Sequence, residues 1–232
     1  MERQHPDQQH SSLGISKVLQ KDIETGHKQA MTDDMFKVPH KGSNIFIWTR
    51  FMISLYYNKI VVGLFGYITG WRWYNRIDAR LILGALPTPS QIKKLHAVEN
   101  VSTIINMCAE FPGYERLYHE LNIKQIRLET PDFTLPTLHS IHAAINEINQ
   151  SSSSVYLHCK AGRGRSAAIA LCYLMRVYQL NLSEGQEVLM RKRVQVDKNI
   201  CQTEEVRLFY KELLSDMEAG RFQRVEFALH KS

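Results

Sequence analysis

The stretch from Val155 to Leu180 constrains this chain more than any other part of it. Val155–His158 reads as a short apolar strand, and Ser166–Leu180 is apolar nearly all round, as in a helix buried on every side. Only CKAGRGR, with its two glycines, separates them. A strand that turns so tightly into a fully apolar helix needs a sheet beside it and further helices around it.

The rest of the sequence supplies those layers. Leu81–Leu83 reads as a strand and Pro89–Val98 as a helix entered at Thr88-Pro89. Val101–Met107 reads as a buried β-branched strand, Tyr114–Leu121 as a short helix and Ile123–Leu128 as an alternating strand. Leu138, Ile141, Ile145 and Ile148 recur at helical spacing within Thr137–Gln150, and Ser151–Ser154 is a polar loop. Ser183 is expected to start another helix, with Gln186 placed for a capping box, and Glu204–Met217 forms the last. Strands alternating with helices imply an α/β fold: a three-layer α-β-α arrangement around a mostly parallel central sheet. No internal repeat is visible.

That pattern occupies residues 73–220, a length that suits one domain within a chain of 232 residues. Residues 1–43 read as a disordered tail, polar and without apolar periodicity. One arginine and several acids do not make a clean mitochondrial targeting signal, and no secretory signal peptide begins the chain. Residues 221–232 read as a C-terminal tail. Residues 44–72 hold an apolar run of spanning length, interrupted by Arg50 and Lys59. At about 100° per residue these two cations fall on opposite helix faces, against a clean span. Trp48, Tyr56, Tyr57, Trp71, Trp73 and Tyr74 suit a membrane interface. The segment therefore lies on a membrane, packs on the domain or, least in keeping with its charges, spans.

The net charge of +6 suits anionic partners: phosphates, acidic lipid surfaces or nucleic acid. Nucleic acid would call for a broader basic surface and is not expected. Cys108, Cys159, Cys172 and Cys201 are too few for a disulfide framework and lack zinc spacing, so no metal site and no cofactor are expected. Cys172, on the apolar helix, reads as core.

The loop after the strand is an anion cradle. Its N–H groups, with those of the helix beginning near Arg165–Ser166, converge on one point, where the helix dipole is positive. Gly162 and Gly164 let the backbone approach a ligand closely. Arg165 holds two phosphate oxygens with a planar fork. Cys159 sits on the floor, where helix N-termini and cations lower a thiol from about 8.5 to about 3.5–7.5. The thiolate faces phosphorus, and Ser166 can donate to the sulfur. Lys160, Ala161 and Arg163 complete the loop that would contact substrate, and Lys160 and Arg163 add charge beside the phosphate. His158 reads as a core histidine that also orients the loop. Arg191-Lys192-Arg193 closes a helix, where cations suit the dipole, and reads as a solvated face. The leaving alkoxide needs a proton. Asp132, in Thr130-Pro131-Asp132-Phe133 and 27 positions before Cys159, is the candidate acid, with Glu129 as the alternative.

HCKAGRGRS (His158–Ser166) resembles the active-site loop of the cysteine-dependent protein-tyrosine phosphatase superfamily, dual-specificity branch. With WYNRID (Trp73–Asp78), ILGALP (Ile82–Pro87), Pro136-Thr137-Leu138 and HCKAGR, the chain resembles the mitochondrial protein-tyrosine phosphatase, or Plip-type, family over about residues 50–215. The resemblance implies the dual-specificity phosphatase-like fold. It also implies Asp132 as the acid and dephosphorylation of phosphatidylglycerophosphate toward cardiolipin on the matrix side of the mitochondrial inner membrane. Two features depart from it: Gly164 stands where serine is usual, and MCAEFPGYE (Met107–Glu115) replaces an acidic stretch. Both resemble tensin-type phosphoinositide phosphatases, in which the cysteine matching Cys108 can form a disulfide with the nucleophile. The expected partners are therefore an anionic phospholipid substrate and a membrane surface. Phosphoinositides, phosphoprotein substrates and phosphate binding without turnover are the alternatives.

Overall fold

The computed structural model describes residues 68–221, together with Thr49, Ile53, Tyr56 and Ile60. The two tails read from the sequence, and most of the apolar segment 44–72, lie outside the described residues apart from Arg221. Among the described residues no helix is long and apolar enough to cross a membrane.

Among the described residues, five strands and six α-helices follow one another from Tyr74 onward as β1 (Tyr74–Arg76), β2 (Leu81–Gly84), α1 (Pro89–Glu99), β3 (Val101–Cys108), α2 (Glu115–Glu120), β4 (Lys124–Thr130), α3 (Leu138–Gln150), β5 (Ser154–His158), α4 (Arg165–Tyr178), α5 (Leu182–Lys192) and α6 (Glu204–Glu218). The sheet order is β1-β2-β5-β3-β4. β2, β5, β3 and β4 are parallel, and β1 is an antiparallel edge. The sequence reading lacked β1, because three residues give no measurable alternation.

Residue alternation sorts the side chains into two cores. Leu81, Leu83, Val155, Leu157, Ile105 and Met107 face α3–α6, whereas Ile82, Tyr156 and Ile104 face α1 and α2. The three-layer α/β reading therefore holds. α4 has twelve buried residues among its fourteen, as its all-round apolarity requires, and packs against α3, α5 and α6.

Local chemistry sets the ends of the helices. Thr88 and Gln91 close a capping box on α1, with Pro89 in the first turn. The box on α5 is one the sequence reading misplaced. Asn181 caps the helix and Glu184 reaches back to the Asn181 N–H, so Ser183 is already helical. Gln186 turns inward, donating to the Asp197 carbonyl and accepting from the Cys201 N–H. α4 stops at Gln179, which takes the left-handed conformation, rather than at Leu180.

Trp71, Trp73 and Tyr74, read as suited to a membrane interface, are half-buried and contact the domain. Trp71 lies under the Arg163 guanidinium, Trp73 Nε1 donates to the Leu86 carbonyl and Tyr74 stacks edge-on against Tyr156.

Candidate active site

Gly84, His158, Cys108 and Thr130 end the four parallel strands on one edge of the sheet, where a ligand crevice belongs in such folds. A cavity of about 570 Å³ opens there, lined by Cys159, Lys160, Arg165, Asp132 and Phe133 among others.

The loop from Cys159 to Gly164 turns its carbonyls outward. Lys160 O accepts from Leu86 N (3.2 Å) and Arg163 O from Asp197 N (3.1 Å). Ala161 O accepts from Arg193 Nη2 (3.1 Å) and Gly162 O from Arg193 Nε (2.8 Å). With the carbonyls engaged outside, the N–H groups face the cradle, and Gly162 N–H donates to Cys159 Sγ at 3.2 Å. The two glycines differ in surroundings: Gly162 is pressed against the protein behind the loop, and Gly164 lines the open cavity. Gly162 has φ +66°, and a Cβ there would lie 2.4 Å from the Gly84 carbonyl oxygen, whereas one on Gly164 would meet nothing within 4 Å.

Cys159 is 3% exposed, and burial pushes its thiol up. The Arg165 charge, the Ser166 hydroxyl and the N–H groups of Ser166 and Gly162 outweigh that, and the net shift is downward. Ser166 Oγ donates to the sulfur at 3.2 Å. Four stabilising groups thus converge on the sulfur of Cys159. Cys108 and Cys172 are also buried, but without that net balance their thiols are pushed well up. For Cys108, burial and then Glu110 raise it, and Arg165 only partly compensates.

Arg165 is 4% exposed and fixed by three partners. Glu110 accepts in bidentate fashion (2.9 and 2.8 Å), Thr130 O at 2.9 Å and Asp132 Oδ1 at 2.9 Å. Burial opposes its charge most strongly of any single cause, but the Glu110 hydrogen bonds together with the charges of Cys159, Cys108 and Glu110 outweigh it, and the guanidinium stays cationic. Asp132 also pairs with Lys160, so the candidate acid spans both cations at the mouth of the cradle. Glu129 instead pairs with Arg127 along β4 and does not line the cavity. Phe133, 82% exposed with φ +65°, lies 5.3 Å from the Lys160 ammonium at the rim.

Arg163 lines the cavity but is exposed, unlike Lys160 and Arg165; its side chain also donates to Gln195 O and covers Trp71. Two points of the sequence reading need correction. Arg193 is 1% exposed rather than solvated: it lies just past the last turn of α5, where the chain turns inward. Glu110 was overlooked, although an acid two residues past a central strand was a usable signal.

His158 is fully buried, stacked on Tyr156, and its Nδ1 lies 3.3 Å from the Cys159 carbonyl. Burial lowers it from 6.5 to about 4. Above the unfolded value both states are neutral. Below it the unfolded chain binds the proton first, so stability falls from pH 6.5 to about 4. We expect about 3 kcal/mol lost over that window from this group. Urea unfolding of the protein against His158→Asn across pH 4–7 checks it: the variant should lose that component of the acid sensitivity.

A thiolate, a fixed guanidinium and inward N–H groups at the start of a helix are the parts of a cysteine-dependent phosphate monoesterase. Residues 81–212 match the dual specificity phosphatase catalytic domain. The chain is 33% identical over 150 residues to the phosphatidylglycerophosphatase and protein-tyrosine phosphatase 1 of Rattus norvegicus, covering 61% of this chain and 78% of the relative. The Homo sapiens protein of that name is 31% identical, with 61% and 75% covered. The crystal structure of PTPMT1 superposes with a TM-score of 0.59 at 31% identity, covering 63% of this chain and 99% of that one. PTPMT1 is also known in complex with PI(5)P. The chain belongs to the dual-specificity phosphatase family, in the branch of these phosphatidylglycerophosphatase relatives. It is a hydrolase of phosphate monoesters.

Proposed function

We propose that this phosphatase converts phosphatidylglycerophosphate to phosphatidylglycerol, the step toward cardiolipin, at the matrix face of the mitochondrial inner membrane. The observation that carries the chemistry is the convergence of Arg165, Ser166 and the Gly162 N–H on the Cys159 sulfur. The substrate rests on the relatives named phosphatidylglycerophosphatase. An open, cation-floored cavity with Phe133, Leu135 and Ile200 on its walls suits a phosphate carried by a lipid.

The Cys159 thiolate attacks phosphorus, forming a sulfur–phosphorus bond as the bond to the glycerol oxygen breaks. Arg165 and the N–H groups of Lys160 to Arg165 hold the equatorial oxygens. Asp132, which lies beside Arg165 and Lys160, gives its proton to the leaving alkoxide. It then takes one from the water that hydrolyses the phosphocysteine, while Ser166 donates to the departing sulfur. Asp132→Asn should lower kcat by about 10²–10⁴-fold and remove one limb of its pH profile. A full profile on phosphatidylglycerophosphate checks this, and an unchanged limb would reassign the acid.

Phosphate release from phosphatidylglycerophosphate, a phosphoinositide panel and phosphotyrosine or phosphothreonine peptides, run side by side, tests the substrate. Preference for the first supports the proposal. Preference for a phosphoinositide or a peptide replaces it, and no release leaves a binding protein.

Cys108 is the proposed redox partner of Cys159. Peroxide would oxidise the Cys159 thiolate to a sulfenic acid, and the Cys108 thiol would displace its oxygen as water. Reversible inactivation should yield a Cys108–Cys159 cross-link in the mass spectrum; inactivation without one sinks the pairing.

A further inference from the structure

The Arg193 guanidinium is one of the largest fully buried side chains in the domain. No carboxylate pairs with it among the described residues. Four hydrogen bonds tie it to neutral oxygens: the carbonyls of Ala161, Gly162 and Arg72, and Asn75 Oδ1 at 2.8 Å. A desolvated cation without a counterion is costly and is retained only where it does something a hydrophobe cannot. Burial lowers it to about 10, so it is still charged at neutral pH.

Its position says what it does. Arg193 does not line the cavity, so it sits behind the loop. It takes two of the four successive carbonyls between Lys160 and Arg163; single backbone N–H groups take the other two. A peptide plane that turns its carbonyl out turns the next N–H in. The Ala161 carbonyl shares its plane with the Gly162 N–H, the group that donates to Cys159 Sγ. The far end of the fork is anchored on Arg72 and Asn75, where Gln195 Nε2 also donates to the Arg72 carbonyl, so the guanidinium cannot follow the loop if it relaxes.

We propose that Arg193 is a positioning residue: from behind the cradle it holds the Ala161 and Gly162 carbonyls outward, and so keeps the loop's N–H groups turned toward the phosphate and the Cys159 sulfur. This rests on the phosphatase reading of the site. The planar fork is needed because one residue must bond two carbonyls at a fixed spacing, and its unpaired charge adds to the field at the sulfur.

Arg193→Lys and Arg193→Met separate fork from charge. Inhibition by orthovanadate, the pH dependence of Cys159 alkylation by iodoacetamide, and turnover of para-nitrophenyl phosphate are measured on the full chain, with thermal melting as control. Both variants should bind vanadate at least about tenfold more weakly and lose kcat. The alkylation midpoint should rise in both variants, by about one unit in Arg193→Met and by less in Arg193→Lys, which loses the fork but keeps the charge. A folded Arg193→Met protein with unchanged vanadate inhibition and midpoint would overturn the proposal. If that variant does not fold, Arg193→Lys decides: weakened vanadate binding supports the proposal and wild-type binding ends it. A wild-type protein that vanadate fails to inhibit would bring down the phosphatase reading itself, and this proposal with it.

Discussion

Cys159→Ser should lower turnover by about 10⁴-fold or more while the protein still folds and binds phosphate. The four groups that converge on the sulfur stabilise an anion, and a serine hydroxyl does not ionise near neutral pH. The oxygen therefore sits in the same cradle without becoming a nucleophile. Arg165, the Gly162 N–H and Ser166 keep their places, so vanadate or a lipid phosphate should still bind. Single-turnover assays and a binding titration on the same preparation read both quantities. Turnover within a hundredfold of wild type would mean that another group attacks phosphorus. The wild-type thiol should also react with iodoacetamide below the pH at which an ordinary cysteine does, because its net shift is downward. Cys172, buried without compensating charges, should not react in the folded protein.

Arg165→Lys should lower kcat by about 10²–10³-fold although the charge is retained. The guanidinium satisfies Glu110 through two parallel bonds and still reaches Thr130 O and Asp132. An ammonium group cannot reproduce that fork. Glu110, with only 9% of its side chain exposed, is then left with an imperfect partner, so the melting temperature should fall as well. Glu110→Gln with Arg165 intact separates the effects: it should lose less of kcat than Arg165→Lys if the arginine acts directly on the phosphate. A kcat for Arg165→Lys within fivefold of wild type would show that the positive charge alone is sufficient.

The loop from His158 to Ser166 was legible because its chemistry is local. A thiol, two glycines, an arginine and a helix start within nine residues act on one another whatever surrounds them. The layered fold was legible for a related reason. β5 and α4 are apolar on every side, and only a sheet with helices on both faces buries them. Helix ends were less secure. The capping box of α5 depends on whether Asn181 or Ser183 stands outside the first turn, and both residue types cap well.

Glu110 and Arg193 were harder to see. Glu110 stands 55 positions before Arg165, and only the pairing of β3 with β5 brings the two ends together. Arg193 follows two other cations at the end of a helix, a pattern that ordinarily faces water. Nothing in that tripeptide says that the third residue turns inward to meet Ala161, Gly162, Arg72 and Asn75.

The sequence alone thus determined the reactive groups and the layers, because both follow from short-range pattern and solvent exclusion. Only the tertiary structure decided which buried charges orient those groups. Hydrogen-bond partners separated by 31 to 121 residues are chosen by how the layers pack, not by their neighbours in the chain.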